Sequence, residues 1–189
     1  MQTTSEQTVP KQPVRLSVGG DVQASNGTYI ERVADKQLYD ACLAHDFSYV
    51  LACRQIGKSS LKNAVAERLI AEGVSVSRID LNVIGKDVSG AEEWYYSLLD
   101  QIAYSLHLES NLDEWWERQP QQLSLVQRFM RFFDEIVLAT IHDPIVIFID
   151  EIDLTLGLSF TGDFLGWFIL GGQLGLHFCK EKRCLYFLI

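Results

Sequence analysis

The chain has 189 residues, of which 48% are apolar and 22% charged, and a formal net charge of −9. That length suits one domain with a sizeable core. The acidic balance excludes general nucleic-acid binding, which needs clustered Lys and Arg; the longest basic run is KEKR at 180–183.

Residues 1–26 are polar, rich in Gln, Thr and Pro, and lack the apolar stretch of a signal peptide. They read as a flexible leader of a cytoplasmic protein. The four cysteines include no Cys-x-x-Cys pair, so they read as reduced thiols. Asp35 is placed to cap a short helix whose apolar face is Leu38, Tyr39, Cys42 and Leu43. An apolar run at 47–53 has strand length. Residues 58–72 then carry Leu61, Ala64, Val65 and Leu69 at helical spacing, with Gly73 as terminator. The alternation at 74–83 predicts a strand.

Ser89 and Glu92 form a capping-box pattern. It opens a helix that buries Trp94, Tyr95, Leu98, Leu99, Ile102, Ala103 and Leu106. A polar break is expected at 109–122, and its Trp115 and Trp116 read as one core residue and one half-exposed neighbour. Ser124 and Gln127 form a second capping box, heading a helix to about residue 141 through Val126, Phe129, Met130, Phe133, Ile136 and Val137. Asp143 and Pro144 make a turn. The run IVIFI that follows is too short for a confident helix, and its Ile and Val content favours a strand buried on both faces. Strands alternating with helices predict an α/β domain with a mainly parallel sheet.

Two motifs carry chemistry. The stretch ACRQIGKSS ends an apolar run and opens a helix, as a phosphate-binding loop does. Backbone N–H groups would wrap the phosphates, Lys58 would supply a point charge to them, and the Ser59 hydroxyl would ligate Mg2+. The candidate nucleotide-binding residues are Ala52, Arg54, Gln55, Ile56, Gly57, Lys58, Ser59 and Ser60. Ala52 stands where the first glycine of G-x-x-x-x-G-K-S belongs, and alone the loop is a weak signal. The second motif is IVIFIDE. A buried parallel strand ending in Asp150 and Glu151 puts both acids at the carboxyl edge of the sheet, where open α/β sheets bind ligands. Asp150 could then hold the magnesium through a water and Glu151 orient the attacking water. Asp80 and Asp153 read as structural.

TYIERVADKQLYDACLAHDFSYVLACRQIGKSSL, together with IDLNVIG, EEWYYSLL, LDEWWER, LSLVQRFMRFFDEIVL and IVIFIDEID, resembles the AAA-like ATPase domain family of mostly cyanobacterial members, related to the AAA+ and STAND ATPases. The resemblance runs over about 27–163. It implies a P-loop three-layer α/β/α sandwich, ATP as ligand with Mg2+, and a switch or motor role with self-association and an unknown protein partner. The family tolerates a non-glycine first loop residue, which accommodates Ala52. It also puts an aromatic-apolar segment beside the adenine; here that is Tyr29 and Ile30, with Glu31 where the family has glycine.

Residues 164–189 fit the family less well. They form an atypical apolar tail in which 185–189, with Cys184, is the one legible strand, so the domain is expected to be incomplete at its C-terminal end. A fragment or frameshift, a natural short form and a membrane-touching tail are the competing readings. The apolar run is shorter than the ~20 residues a spanning helix needs and is interrupted by glycines, so membrane insertion is not expected. Without legible sensor or lid residues, ATP hydrolysis is expected to be weak or absent. The rival reading is an interaction module that kept the fold and lost turnover.

Overall fold

The computed structural model describes residues 29–44, 48–50, 56–84, 88–160, 162–164 and 166, and the backbone of 185–188. The fold is mixed α/β. Its elements are α1 (Val33–Ala44), α2 (Lys58–Ala71), β1 (Ser75–Asp80), α3 (Leu81–Ile84), α4 (Ala91–Ser105), α5 (Leu112–Glu117) and α6 (Leu125–Phe132). The α6 helix continues through a π-helical turn (Phe133–Val137) into α7 (Leu138–Thr140); β2 (Ile145–Asp150), a 3-10 segment (Ile152–Gly157) and β3 (Leu185–Leu188) follow.

The sheet is parallel, in the order β1-β2-β3, with Asp80 opposite Asp150 and Ile145 opposite Leu185. The strand read at 185–189 is therefore present, beside β2 and away from β1. The strand read at 47–53 lies largely outside the described residues; of its described part, Ser48 makes an isolated bridge.

Period-2 side-chain alternation explains the layering. Ile145, Ile147 and Ile149 of β2 and Ile79 of β1 join one core with Trp94, Leu98 and Ile102 of α4 and Phe129 and Phe132 of α6. Val146 and Phe148 join a second core with Leu38, Tyr39 and Cys42 of α1 and Leu61, Val65 and Leu69 of α2. Helices thus cover both faces of β2, whose five apolar residues are all buried, as the sequence predicts. Burial pushes the Cys42 thiol up to about 12, against a small lowering from a backbone hydrogen bond.

Several local expectations need correction. The first helix starts at Val33, so Asp35 acts from its first turn: its carboxylate accepts from the Arg32 backbone N–H at 2.7 Å. Leu43 and Met130 are exposed, because both sit off the buried stripe of their helices; Phe132 is buried where Met130 was expected. β1 ends at Asp80, whose carboxylate accepts from Asn82 N–H at 2.9 Å and turns the chain into α3.

Glu93, not Glu92, reaches back to the Ser89 backbone N–H, at 2.8 Å. Glu92 instead pairs with the buried Arg128 at 3.2 Å. The second capping box forms as predicted, with Ser124 and Gln127 exchanging both bonds. The polar break contains α5, capped by Asn111, which accepts from Glu114 N–H at 3.2 Å. Trp115 and Trp116 are both half-buried, and Trp115 donates to Glu135 at 2.9 Å.

Phe164, at the start of the tail, is packed: it is fully buried, edge-on to Trp94, Tyr95 and Phe129 with ring centroids 5.1, 6.0 and 5.7 Å away. Among the described residues, no helix is long and apolar enough to cross a membrane.

Candidate functional site

The site is built where β2 ends and α2 begins. Gly57 is the N-cap of α2 with φ 91, a left-handed backbone that glycine adopts without a Cβ penalty. The helix that follows carries the positive end of its dipole at Lys58, Ser59 and Ser60. Lys58 and Ser59 are half-buried. Ala52, Arg54 and Gln55 lie outside the described residues. Ile56 is exposed, and Ser60 is buried beneath the start of the helix.

On the strand side, Asp150 is the first residue past the buried run of β2. The Ser59 hydroxyl donates to Asp150 Oδ2 across 3.4 Å, a long bond between residues from the two motifs. The Glu151 backbone N–H donates to the other carboxylate oxygen at 3.1 Å. Glu151 itself has φ 60, a left-handed conformation unusual for a residue with a Cβ. That turn starts the 3-10 segment, where Leu154 N–H donates to the Glu151 carbonyl at 3.0 Å.

The sequence reading missed Lys62. Its ammonium donates to Asp150 Oδ2 at 2.7 Å, with both side chains mostly buried. One signal was available: Lys62 lies four residues beyond Lys58, on the same face of α2. Burial alone would raise the Asp150 carboxyl. The Lys62 hydrogen bond and charge, the Glu151 N–H and the nearby Lys58 charge outweigh it, and the carboxyl lies below its usual value.

Arg32 was also missed, although it stands in the quoted YIER segment. Its guanidinium donates to the carbonyls of Ile56 at 3.1 Å and Gly57 at 3.2 Å. The same guanidinium donates to the Tyr29 hydroxyl at 3.2 Å, and that hydroxyl donates to Asp35. Burial and the Asp35 carboxylate raise the Tyr29 hydroxyl above its ordinary range, against the Arg32 charge. A Cβ at Gly57 would stand 3.2 Å from this guanidinium. Tyr29 is thus tied to the loop through Arg32, whereas Ile30 is exposed. A cavity of about 290 Å3 lies alongside, lined by Tyr29, Asp35, Tyr39, Val65 and Arg68 among others.

Asp80 is exposed beside Asp150 in the sheet register and binds its own turn, the structural role read from the sequence. Asp153 is exposed on the 3-10 segment.

A family model described as an AAA-like domain matches residues 17–169, most of the chain. The chain belongs to the AAA-like domain family. Membership points to a nucleotide-binding, ATPase-like domain. An uncharacterized WD repeat-containing protein from Synechocystis sp. is 35% identical over 175 residues, and this alignment covers 91% of the chain and 14% of that relative. The AAA-like domain described here therefore corresponds to a small part of that protein. No solved structure matches the chain.

Proposed function

We propose that this chain is an ATP-binding P-loop domain with the three-layer α/β/α sandwich of that class, acting as a STAND-type regulatory module. The observation that carries the reading is the meeting of Ser59 and Asp150. They are 91 positions apart in sequence, yet their side chains approach to 3.4 Å at the carboxyl edge of a parallel sheet, beside the N-terminus of α2. Open α/β sheets bind ligands at that edge, and a helix N-terminus attracts phosphate.

The donor set suits Mg2+, which is commonly bound through one or two carboxylates plus substrate phosphates. One hydroxyl and one carboxylate, both hard oxygen donors, meet that requirement. In this reading Ser59 and Asp150 hold the ion, which would neutralise charge on the phosphates. Lys58 contacts the phosphates, the 52–60 loop wraps them, and Glu151 orients a water. Tyr29 and Ile30 remain the candidates for the base side. In this reading hydrolysis by the chain alone is weak or absent.

The small share of the WD repeat-containing relative that this chain covers supports a module joined to others. A second reading, an interaction module that has lost turnover, is favoured by the ion pair Lys62 makes with Asp150.

An ATP titration with Mg2+ on the wild type and Lys58→Ala separates the two. Loss of one charged phosphate contact is worth about 1.5–3 kcal/mol, on the order of tenfold to a hundredfold in affinity. Equal affinity in both proteins, or no binding by a folded wild type, would refute the nucleotide site.

A further inference from the structure

We propose that Lys62 is a built-in counter-cation that occupies the metal-facing oxygen of Asp150 until a divalent ion displaces it. The inference rests on the nucleotide-site reading above and adds to it a determinant of how much Mg2+ the site requires.

Three observations carry it. Lys62 Nζ and Ser59 Oγ converge on the same atom, Asp150 Oδ2, at 2.7 and 3.4 Å. The other carboxylate oxygen is already engaged by the Glu151 backbone N–H at 3.1 Å. Both side chains of the ion pair are mostly buried, at 18% and 16% exposure, so water screens the pair less than it would a surface pair. An ion held by Ser59 and Asp150 competes with Lys62 for this oxygen, because an ammonium and a divalent cation drawn to one carboxylate atom repel each other in a site that water screens poorly. Lys62 therefore swings away when the metal arrives.

Lys62 also differs in placement from Lys58. Lys58 is the first residue of α2, whereas Lys62 lies one helical turn further along. The first is positioned for phosphates in front of the helix, the second for the carboxylate at the end of β2.

Such an occupant raises the apparent dissociation constant of the metal by the fraction of time it blocks the site. If the ion pair is closed about nine-tenths of the time, the effect is roughly tenfold. Nucleotide binding without metal does not pass through Asp150 and should be unaffected.

The test uses the whole chain and a non-hydrolysable ATP analogue. The Mg2+ concentration for half-maximal metal-dependent tightening is compared between wild type, Lys62→Met and Lys62→Arg. The expected result is a roughly tenfold fall for Lys62→Met, near-wild-type behaviour for Lys62→Arg, and unchanged analogue affinity in EDTA for both. An unchanged Mg2+ requirement in Lys62→Met would overturn the proposal. A loss of analogue affinity in EDTA would also overturn it, assigning Lys62 to the phosphates instead.

A measurement on the wild type covers the case in which a variant does not fold. Lysines are acetylated at limiting reagent and quantified by mass spectrometry, with the exposed Lys36 as reference. Adding Mg2+ to the analogue complex should raise Lys62 labelling several-fold; unchanged or reduced labelling contradicts displacement. If a folded wild type binds no analogue in any condition, the nucleotide reading itself fails, and the Lys62 role fails with it. Binding that depends on Lys58 but ignores Lys62 removes only the latter.

Discussion

Truncating Phe164 to alanine tests whether the apolar segment after the acidic motif is part of the working core. The ring is fully buried. It stands edge-on to Trp94, Tyr95 and Phe129, with interplanar angles of 79°, 86° and 88°. These contacts join α4 and α6 to the chain that leaves the Asp150–Glu151 turn. Removing a buried phenylalanine costs about 3–5 kcal/mol through lost transfer energy and the residual cavity. The T-shaped geometry, worth about 0.5–1.5 kcal/mol per aromatic pair beyond area, favours the upper part of that range. A domain of this size has about 5–15 kcal/mol of stability in total, so about a fifth or more would be lost. With a urea m-value of about 2 kcal/mol/M, the midpoint should fall by about 1.5–2.5 M. Tryptophan fluorescence and far-ultraviolet circular dichroism would follow the transition. Tyr104→Ala is the control: the side chain is 83% exposed on α4, and its effect should stay within about 0.5 kcal/mol. A Phe164→Ala loss below about 1 kcal/mol would refute the packing argument.

Two further outcomes follow from the site. Arg32→Ala removes the guanidinium that holds the Ile56 and Gly57 carbonyls. Because the side chain is 40% exposed, the loss should be only about 1 kcal/mol in urea unfolding, with a weaker ATP affinity alongside; Arg32→Ala matching wild type in both would rule out a role in holding the loop. The Asp150 carboxyl is depressed in the folded state, so its contribution is complete above the ordinary aspartate value and fades as pH falls from there through the folded value. Acid unfolding curves of wild type and Asp150→Asn should therefore converge below about pH 4 and differ above it; a constant difference across that window would contradict the assignment.

Much of the layering was legible because it depends on periodicity. The buried face of α4 follows the helical spacing of Trp94, Leu98 and Ile102, and β2 follows from a β-branched run with turns around it. Local chemistry was legible where a motif is self-contained, as in the Ser124–Gln127 box. It failed where the helix start shifts by one residue: the N-cap is Gly90 rather than Ser89, so Glu93 stands at the third helical position and bonds back to Ser89, while Glu92 pairs with Arg128, distant in sequence. The short helix α3 after Asp80 and the helix within the polar 109–122 stretch were missed for a related reason. Short polar side chains there bond to nearby backbone, and composition alone does not separate a loop from a capped turn of helix.

The amino-acid sequence by itself determined the α/β class, the family, and the pairing of a Gly-Lys-Ser loop with an acid-ended strand. Those are properties of residue order and spacing. Only the tertiary structure decided what stands around them. It brought Ser59 within 3.4 Å of Asp150, set Lys62 on the same oxygen, and tied Arg32 to the carbonyls of Ile56 and Gly57. None of these contacts follows from periodicity, because each depends on how α2 lies against the end of β2 and against the N-terminal segment. That placement is set by the packing of Leu61, Val65 and Leu69 against Val146 and Phe148.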